Sequence, residues 1–255
     1  EQCSDVDHSE GGHILGCFTQ DRIHLFNVND ERLDGIVEVT GAHELLHAAW
    51  YRMSDGERGE LVDSLTGLYE EFRMEDPELE DRMSVYANLP PVSFANELHS
   101  VLATEVRVLP DWLETHYARW FSNRGVILDL FDAYHQIFNE IQSRADELQA
   151  QLNSLRTEVE QRSDAYDAAV SQFNSDVQDF NNRNAAFEFS DNEGEFWRLR
   201  GQLEARSMDL SAERDGIQAL IDRYEELRLE LEALNTTNTE LNQHLDSNLA
   251  PPSGV

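Results

Sequence analysis

The chain has 255 residues and is strongly acidic: 51 Asp and Glu stand against 19 basic residues, all of them Arg, for a formal net charge of −32. This excess of negative charge repels the phosphate backbone of nucleic acids, so we expect no DNA or RNA partner. No apolar run is long enough to cross a bilayer, and the length suffices for one compact domain with an extended element or for two domains.

The two cysteines, Cys3 and Cys17, lie close together near the start of the chain. Such a pair in a short N-terminal segment fits one disulfide, which favours an oxidising compartment, and two unrelated thiols are the alternative. The chain begins at Glu1 without a Met, which leaves room for an upstream signal or membrane anchor. Together these features favour an extracytoplasmic protein, secreted or anchored through a segment upstream of residue 1.

Three short strands are expected before the first helix. Residues 13–18 and 22–28 have strand composition, and Thr19-Gln20-Asp21 between them suits a hairpin turn. Residues 36–39 look like a third strand that runs into a helix with Thr40 as its N-cap. The opening therefore predicts a small sheet feeding a helix, and residues 23–28 are a candidate edge for adding an extended peptide.

The helix that follows carries the pattern H-E-x-x-H at His43, Glu44 and His47. Residues four apart share a face of an α-helix, so both imidazoles can point at one metal ion. Glu44 lies beside the first ligand, where its carboxylate can take a proton from a water activated by the metal. Two His ligands and a Glu base form the zinc-hydrolase arrangement, so we expect Zn²⁺.

A third ligand is expected from a later helix. After helical stretches at 57–74 and 77–86, residues 94–106 form an apolar helix that contains Glu97 and Glu105. These two acids are about 12 Å apart along a helix, so at most one of them can bind the metal. His99 is a further option, although it lies off the Glu97 face.

The two motifs together resemble the gluzincin group of zinc peptidases, in which H-E-x-x-H on one helix is followed by a glutamate on a later helix. Asn96-Glu97-x-x-Ser100 is similar to the start of the glutamate helix in thermolysin-like enzymes. The pairing also resembles the mitochondrial inner-membrane peptidase family that assists ATP synthase assembly, whose second motif is Ser-Glu-Ile-Arg-Ala. The resemblance covers residues 13–125. The sequence departs from the thermolysin pattern at Val101, where Asp is usual. The spacing between the two motifs is also longer than in that pattern.

The resemblance implies a zincin-like α+β metallopeptidase domain that acts on a protein or peptide substrate. It favours Glu97 as third ligand, in which case Glu105 would hydrogen-bond a ligand histidine or pair with Arg107. Zinc peptidases commonly place a Tyr or His where it stabilises the oxyanion. His116 and Tyr117 are candidates for that role, and an ordinary packed aromatic is the alternative for each.

From about residue 127 the apolar residues recur at alternating spacings of four and three, and they do so again from 196 to 245. This is coiled-coil periodicity. We expect a domain over 1–126, an antiparallel coiled-coil hairpin over 127–249 with its turn near 188–195, and a disordered tail over 250–255. The hairpin is a candidate spacer, gate, or arm for homo-oligomers or another partner.

Two functions fit the sequence, and a third possibility is a coiled-coil oligomer in which the motif is accidental and no zinc binds. One is a zinc metallopeptidase. The other is a non-enzymatic envelope or scaffold protein in which the coiled coil does the work and the metal site is structural or vestigial. A catalytic zinc ion keeps one position open, so four protein ligands would favour the second function.

Overall fold

The computed structural model describes residues 15–19 and 21–245. Cys3, and with it the predicted disulfide to Cys17, lies outside these residues, as does the predicted tail at 250–255. The described part is mostly helical, and its elements in chain order are β1 Gly16–Thr19, β2 Arg22–Leu25, a 3₁₀ turn Glu31–Leu33, α1 Ile36–Arg52, α2 Asp55–Phe72, α3 Pro77–Ser84, α4 Pro91–Glu105, α5 Asp111–Tyr117, α6 Arg124–Ala185 and α7 Glu193–Leu245.

The predicted hairpin is confirmed over shorter strands. β1 and β2 pair antiparallel, with Cys17 opposite His24 and Phe18 opposite Ile23. The sheet packs on α1, and the Cys17 side chain is fully buried beneath it. Within the described residues this two-stranded sheet is the whole of the β structure, so the helices supply most of the core.

The predicted third strand is wrong, because residues 36–39 form the first turn of α1. The helix begins after Gly35, whose φ of 96° is the left-handed conformation that glycine adopts without strain. The Thr40 hydroxyl donates to the carbonyl oxygen of Ile36 at 2.7 Å, so Thr40 lies inside the helix and does not cap it. A β-carbon on Gly35 would also come within 2.9 Å of Leu130 Cβ.

Helical spacing explains why this β-branched stretch forms a helix. Ile36 is buried in a small core with Leu33 and with Leu241 and Leu245 from the end of α7. Burying an isoleucine side chain is worth roughly 2 kcal/mol, which exceeds the small helix propensity penalty of a β-branched residue. Tertiary packing therefore overrides the local preference for a strand.

The main core lies between α1, α2 and α4 and is closed by α3 and α5. Its centre contains side chains with no exposed surface, among them Leu46, Leu65, Leu98, Leu102 and Leu113. The helices begin at clear signals. Ser54 and Glu57 form a capping box at the start of α2, and Pro residues open α3 and α4. This core fixes α1 against α4.

The chain divides into two compact units, residues 1–141 with 237–255 and residues 142–236. The start of α6 and the end of α7 thus belong to the first unit, and the predicted boundary at 126–127 falls inside α6. None of the helices in the described part has a stretch both long and apolar enough to cross a membrane.

The second unit is an antiparallel helical hairpin. Leu148 and Leu152 on α6 pack with Leu227 on α7, while Arg162 forms an ion pair with Glu213 further along both helices. The contacting residues rise in residue number along α6 and fall in residue number along α7, as expected for antiparallel helices. The turn at 186–192 lies close to the predicted position. Glu213 interrupts the apolar face of α7, and its carboxylate is paired with Arg162 of α6.

Candidate metal centre

Three side chains from two helices meet in the core of the first unit. His43 and His47 project from one face of α1, and their Nε2 atoms each lie 3.6 Å from Oε2 of Glu97 on α4. All three side chains are buried, with no more than 4% of any residue exposed. Their ligand atoms all lie within 4.8 Å of one another, so the group could hold a metal ion.

The spacing of these atoms fits a small divalent cation. Ligand atoms about 2.1 Å from a tetrahedrally coordinated ion are about 3.4 Å from one another. The observed distances of 3.6 Å between each Nε2 and the carboxylate oxygen are close to that value. Burying a carboxylate without a counter-charge is costly, and a cation between the three groups offsets that cost. Within residues 15–19 and 21–245, no other three His, Cys, Asp or Glu side chains form such a group.

Glu44 follows the first histidine and lies between α1 and the sheet. Only 3% of the residue is exposed. A β-carbon on Gly16 of β1 would come 3.1 Å from Glu44 Cγ and 2.6 Å from Thr40 Cγ2. The strand therefore crosses α1 directly above Glu44, and the close approach requires glycine at position 16.

The alternative ligand Glu105 is not part of the cluster. It lies at the end of α4, where its Oε1 accepts a hydrogen bond from Arg82 at 3.1 Å. Glu105 is therefore a salt-bridged acid, as one alternative had it, but its partner is Arg82, because Arg107 pairs with Asp129 at 2.9 Å and with Asp132. Two helical turns separate Glu105 from Glu97, so Glu97 is the acid that reaches the histidines.

Both predicted oxyanion donors make hydrogen bonds to other groups. The Tyr117 hydroxyl donates to the backbone carbonyl of His99 at 2.7 Å, and only 1% of Tyr117 is exposed. The Nε2 atom of His116 lies 2.8 Å from Nε2 of His99. His99 also packs against the rings of Trp50, His116 and Tyr117. All three residues therefore pack α5 against α4, which was the alternative left open for Tyr117 and His116.

Burial keeps this histidine pair neutral. It lowers the pKa of His99 well below the usual value, and the neighbouring His116 adds to the effect. Burial, with a smaller contribution from the positive charge of Arg119, lowers the pKa of His116 to about 4. At neutral pH the contact is therefore a hydrogen bond between two neutral rings, in which one Nε2 donates and the other accepts.

Arg124, which sequence analysis did not single out, holds the helix that carries Glu97. Only 8% of Arg124 is exposed. Its guanidinium donates to four carbonyl oxygens at the end of α4, including those of Val106 at 2.7 Å and Ala103 at 3.1 Å. It also forms an ion pair with Glu114. A cation at a helix C-terminus satisfies orphan carbonyls and complements the helix dipole. No local sequence signal marks this role, which depends on the loop that follows α4.

Comparison with models of protein families, with curated proteins and with solved structures gave no match. The buried group of His43, His47 and Glu97 is therefore the observation from which a function can be argued.

Proposed function

We propose that the protein is a zinc-dependent metallopeptidase in which His43, His47 and Glu97 hold Zn²⁺ and Glu44 is the general base. One observation carries the proposal: three ligand atoms from two packed helices lie within 4.8 Å of one another in a buried position. Two imidazoles at i and i+4 with a carboxylate from a second helix form a donor set typical of catalytic zinc, which takes three protein ligands.

A zinc ion at this site would contribute two effects to the reaction. Bound zinc lowers the pKa of a coordinated water and polarises the carbonyl of a substrate. Imidazole and carboxylate donors at tetrahedral spacing suit zinc better than magnesium or calcium, which prefer six or more oxygen ligands.

Glu44 is the residue that moves the proton. In the proposed reaction its carboxylate accepts a proton from the attacking water and then passes it to the nitrogen of the leaving amine, so the side chain ends as it began. Its position supports this role, because it follows the first ligand on α1 and is enclosed between the helix and β1. A fixed, buried carboxylate does not need to be reoriented before each transfer.

The sheet offers a way to position an extended substrate. β2 pairs with β1 on one side, and Arg22, Ile23 and Leu25 on it are exposed. A peptide can add to such a strand edge through backbone hydrogen bonds, largely independently of its sequence. The proposed substrate is therefore an unfolded or extended segment of a protein.

The test uses the full chain with an unfolded casein substrate. We expect one zinc ion per chain by elemental analysis, cleavage that stops with a chelator, and recovery when zinc is restored. Glu44→Gln keeps the shape of the side chain but cannot accept the proton, so it should retain zinc and lose at least about a hundredfold in rate. Full activity of the zinc-loaded variant would contradict the mechanism.

Deep burial of the site favours a second candidate, a scaffold protein with a structural metal site. His43, His47 and Glu97 are almost fully enclosed, and two helices of 62 and 53 residues make up a large part of the chain. A structural ion has a closed coordination sphere, whereas a catalytic ion exchanges a water or an inhibitor at its open position. Substituting Co²⁺ distinguishes the two, since a small anionic inhibitor such as a hydroxamate shifts the absorption spectrum only when a position is open.

A further inference from the structure

A cavity of about 540 Å³ opens in the first unit. Its walls come from α3, from the end of α4, and from the parts of α6 and α7 that belong to this unit. Ile36 at the start of α1 and Glu105 at the end of α4 both line it. The two helices that supply the metal ligands therefore extend to the same cavity.

The cavity is negatively charged. Four carboxylates line it against one guanidinium, that of Arg82, which gives a net charge of −3 when histidine is neutral. Arg82 is already paired with Glu105, and Asp76 accepts from a backbone amide at the start of α3. The carboxylates of Glu78 and Asp81 remain on exposed residues at the rim, where they attract a cation.

The opposite wall of the cavity is aromatic. Phe131 stacks on His135 at 4.8 Å between ring centroids, and Tyr134 meets Phe131 edge to face at 5.5 Å. Phe138, one turn further along α6, also lines the cavity. Aromatic faces attract cations and accept the methylene stem of a long side chain. Carboxylates facing aromatic rings therefore suit a group with an apolar stem and a positive head.

The distance to the metal centre suits a side chain of a bound peptide. Ile36 precedes His43 by seven residues, so it lies on the same face of α1 and about 10 Å away along the helix axis. An extended peptide advances about 3.3 Å per residue, so this distance corresponds to about three residues.

The two segments of the sequence next to the cavity do not carry such a group. The cavity is flanked by Leu15 and Leu245, which adjoin the segments 1–14 and 246–255. Neither segment contains Arg or Lys. Neither segment therefore offers a guanidinium or ammonium side chain to the cavity.

We propose that this cavity receives an arginine or lysine side chain of the peptide substrate, about three residues from the bond that is cut. That the bound peptide is a substrate rests on the proposed peptidase function. The binding of a basic peptide in the cavity is a separate property, and it is measured without catalysis.

The binding experiment uses the full-length Glu44→Gln protein after treatment with a chelator, so that no cleavage takes place. The probe is an acetylated and amidated alanine pentapeptide with arginine at its centre, titrated by calorimetry at low salt. We expect the arginine peptide to bind at least tenfold more tightly than the same peptide with glutamine at the centre. Nuclear magnetic resonance of the His135 ring should shift on binding, which places the peptide in the cavity.

Two variants locate the charge. Glu78→Gln with Asp81→Asn removes the two rim carboxylates without changing side-chain size, and it should weaken binding of the arginine peptide about tenfold. The matched control, Glu60→Gln with Asp63→Asn, removes two acids from exposed positions on α2 that do not line the cavity. The control should bind as tightly as the parent, because at these positions only the net charge has changed.

The possible results separate this inference from the proposed function. Equal binding of the arginine and glutamine peptides, or an unchanged His135 ring signal, overturns the inference even if casein is cut. Binding of free spermine with the affinity of the arginine peptide overturns it too, since the site would then serve small amines. Tight binding of the arginine peptide with no cleavage by the zinc-loaded parent would instead remove the peptidase function and leave a peptide-binding site.

Discussion

Nε2 of His43 lies 3.6 Å from Oε2 of Glu97, although the two residues belong to different helices. The same oxygen lies at the same distance from Nε2 of His47. One carboxylate oxygen is therefore equidistant from two imidazoles, as expected where three groups are arranged around a shared centre.

The first prediction concerns Glu97. Removing its carboxylate leaves two protein ligands, so Glu97→Ala should lower zinc affinity at least about a hundredfold, while Glu105→Ala should leave it unchanged. Competition with a coloured chelator measures both affinities. The Glu105 variant loses only the contact with Arg82 and is the matched control, since it shortens an acid on the same helix. Equal zinc affinity of the two variants would contradict the assignment.

The second prediction concerns Arg124. Its removal leaves several carbonyl oxygens at the end of α4 without their donor, so Arg124→Met should lower the free energy of unfolding by at least about 2 kcal/mol. Chemical denaturation monitored by circular dichroism measures this change. Arg107→Met is the control, because Arg107 is exposed and its ion pairs with Asp129 and Asp132 are on the surface. A loss in the control as large as in Arg124→Met would show that the buried carbonyl contacts are not responsible.

Arg124 also shows where sequence analysis reaches its limit. The H-E-x-x-H pattern predicted His43 and His47 on one helix face, because helical geometry alone determines their spacing. The role of Arg124 depends on the path of the loop after α4 and on four carbonyl groups, and no spacing in the sequence encodes these. The choice between Glu97 and Glu105 likewise required the packing of α4 on α1.

The sequence predicted the parts of the fold that depend on local patterns and missed a part that depends on distant contacts. The helical hairpin follows from a long periodic pattern, and its turn lies near the expected residues. Residues 36–39 were misassigned because β-branched residues favour strands locally, whereas the core around Leu241 and Leu245 favours a helix there. Leu241 and Leu245 are about two hundred residues away along the chain, beyond the range of any local pattern.

The third prediction concerns the acid sensitivity of His116. Its pKa in the folded protein is about 4, below the usual value of 6.5, so the folded state binds fewer protons than the unfolded state between these values. The buried ring therefore has no effect on stability above pH 6.5, and it lowers the free energy of unfolding progressively as the pH falls from 6.5 towards 4. Thermal unfolding of the parent should therefore shift to lower temperature over this window.

His116→Gln is the matched variant, since glutamine can still hydrogen-bond His99 but does not titrate at position 116. The difference in unfolding temperature between pH 7 and pH 4.5 should be smaller in the variant than in the parent. The same acid-induced shift in both proteins would show that other groups, such as the buried carboxylates, account for it.

The fourth prediction concerns Gly16, where β1 crosses the motif helix. A β-carbon there would lie 2.6 Å from Thr40 Cγ2 and 3.1 Å from Glu44 Cγ, so Gly16→Ala forces the strand away from α1. We expect a loss of about 1–3 kcal/mol in the free energy of unfolding, as for overpacking in a core. Gly59→Ala is the control, because nothing lies within 4 Å of a β-carbon at this position in α2. Alanine there should stabilise the helix by about 0.5–1 kcal/mol. Opposite signs for the two substitutions, measured by urea denaturation, would confirm the close contact above Glu44, whereas stabilisation by both would contradict it.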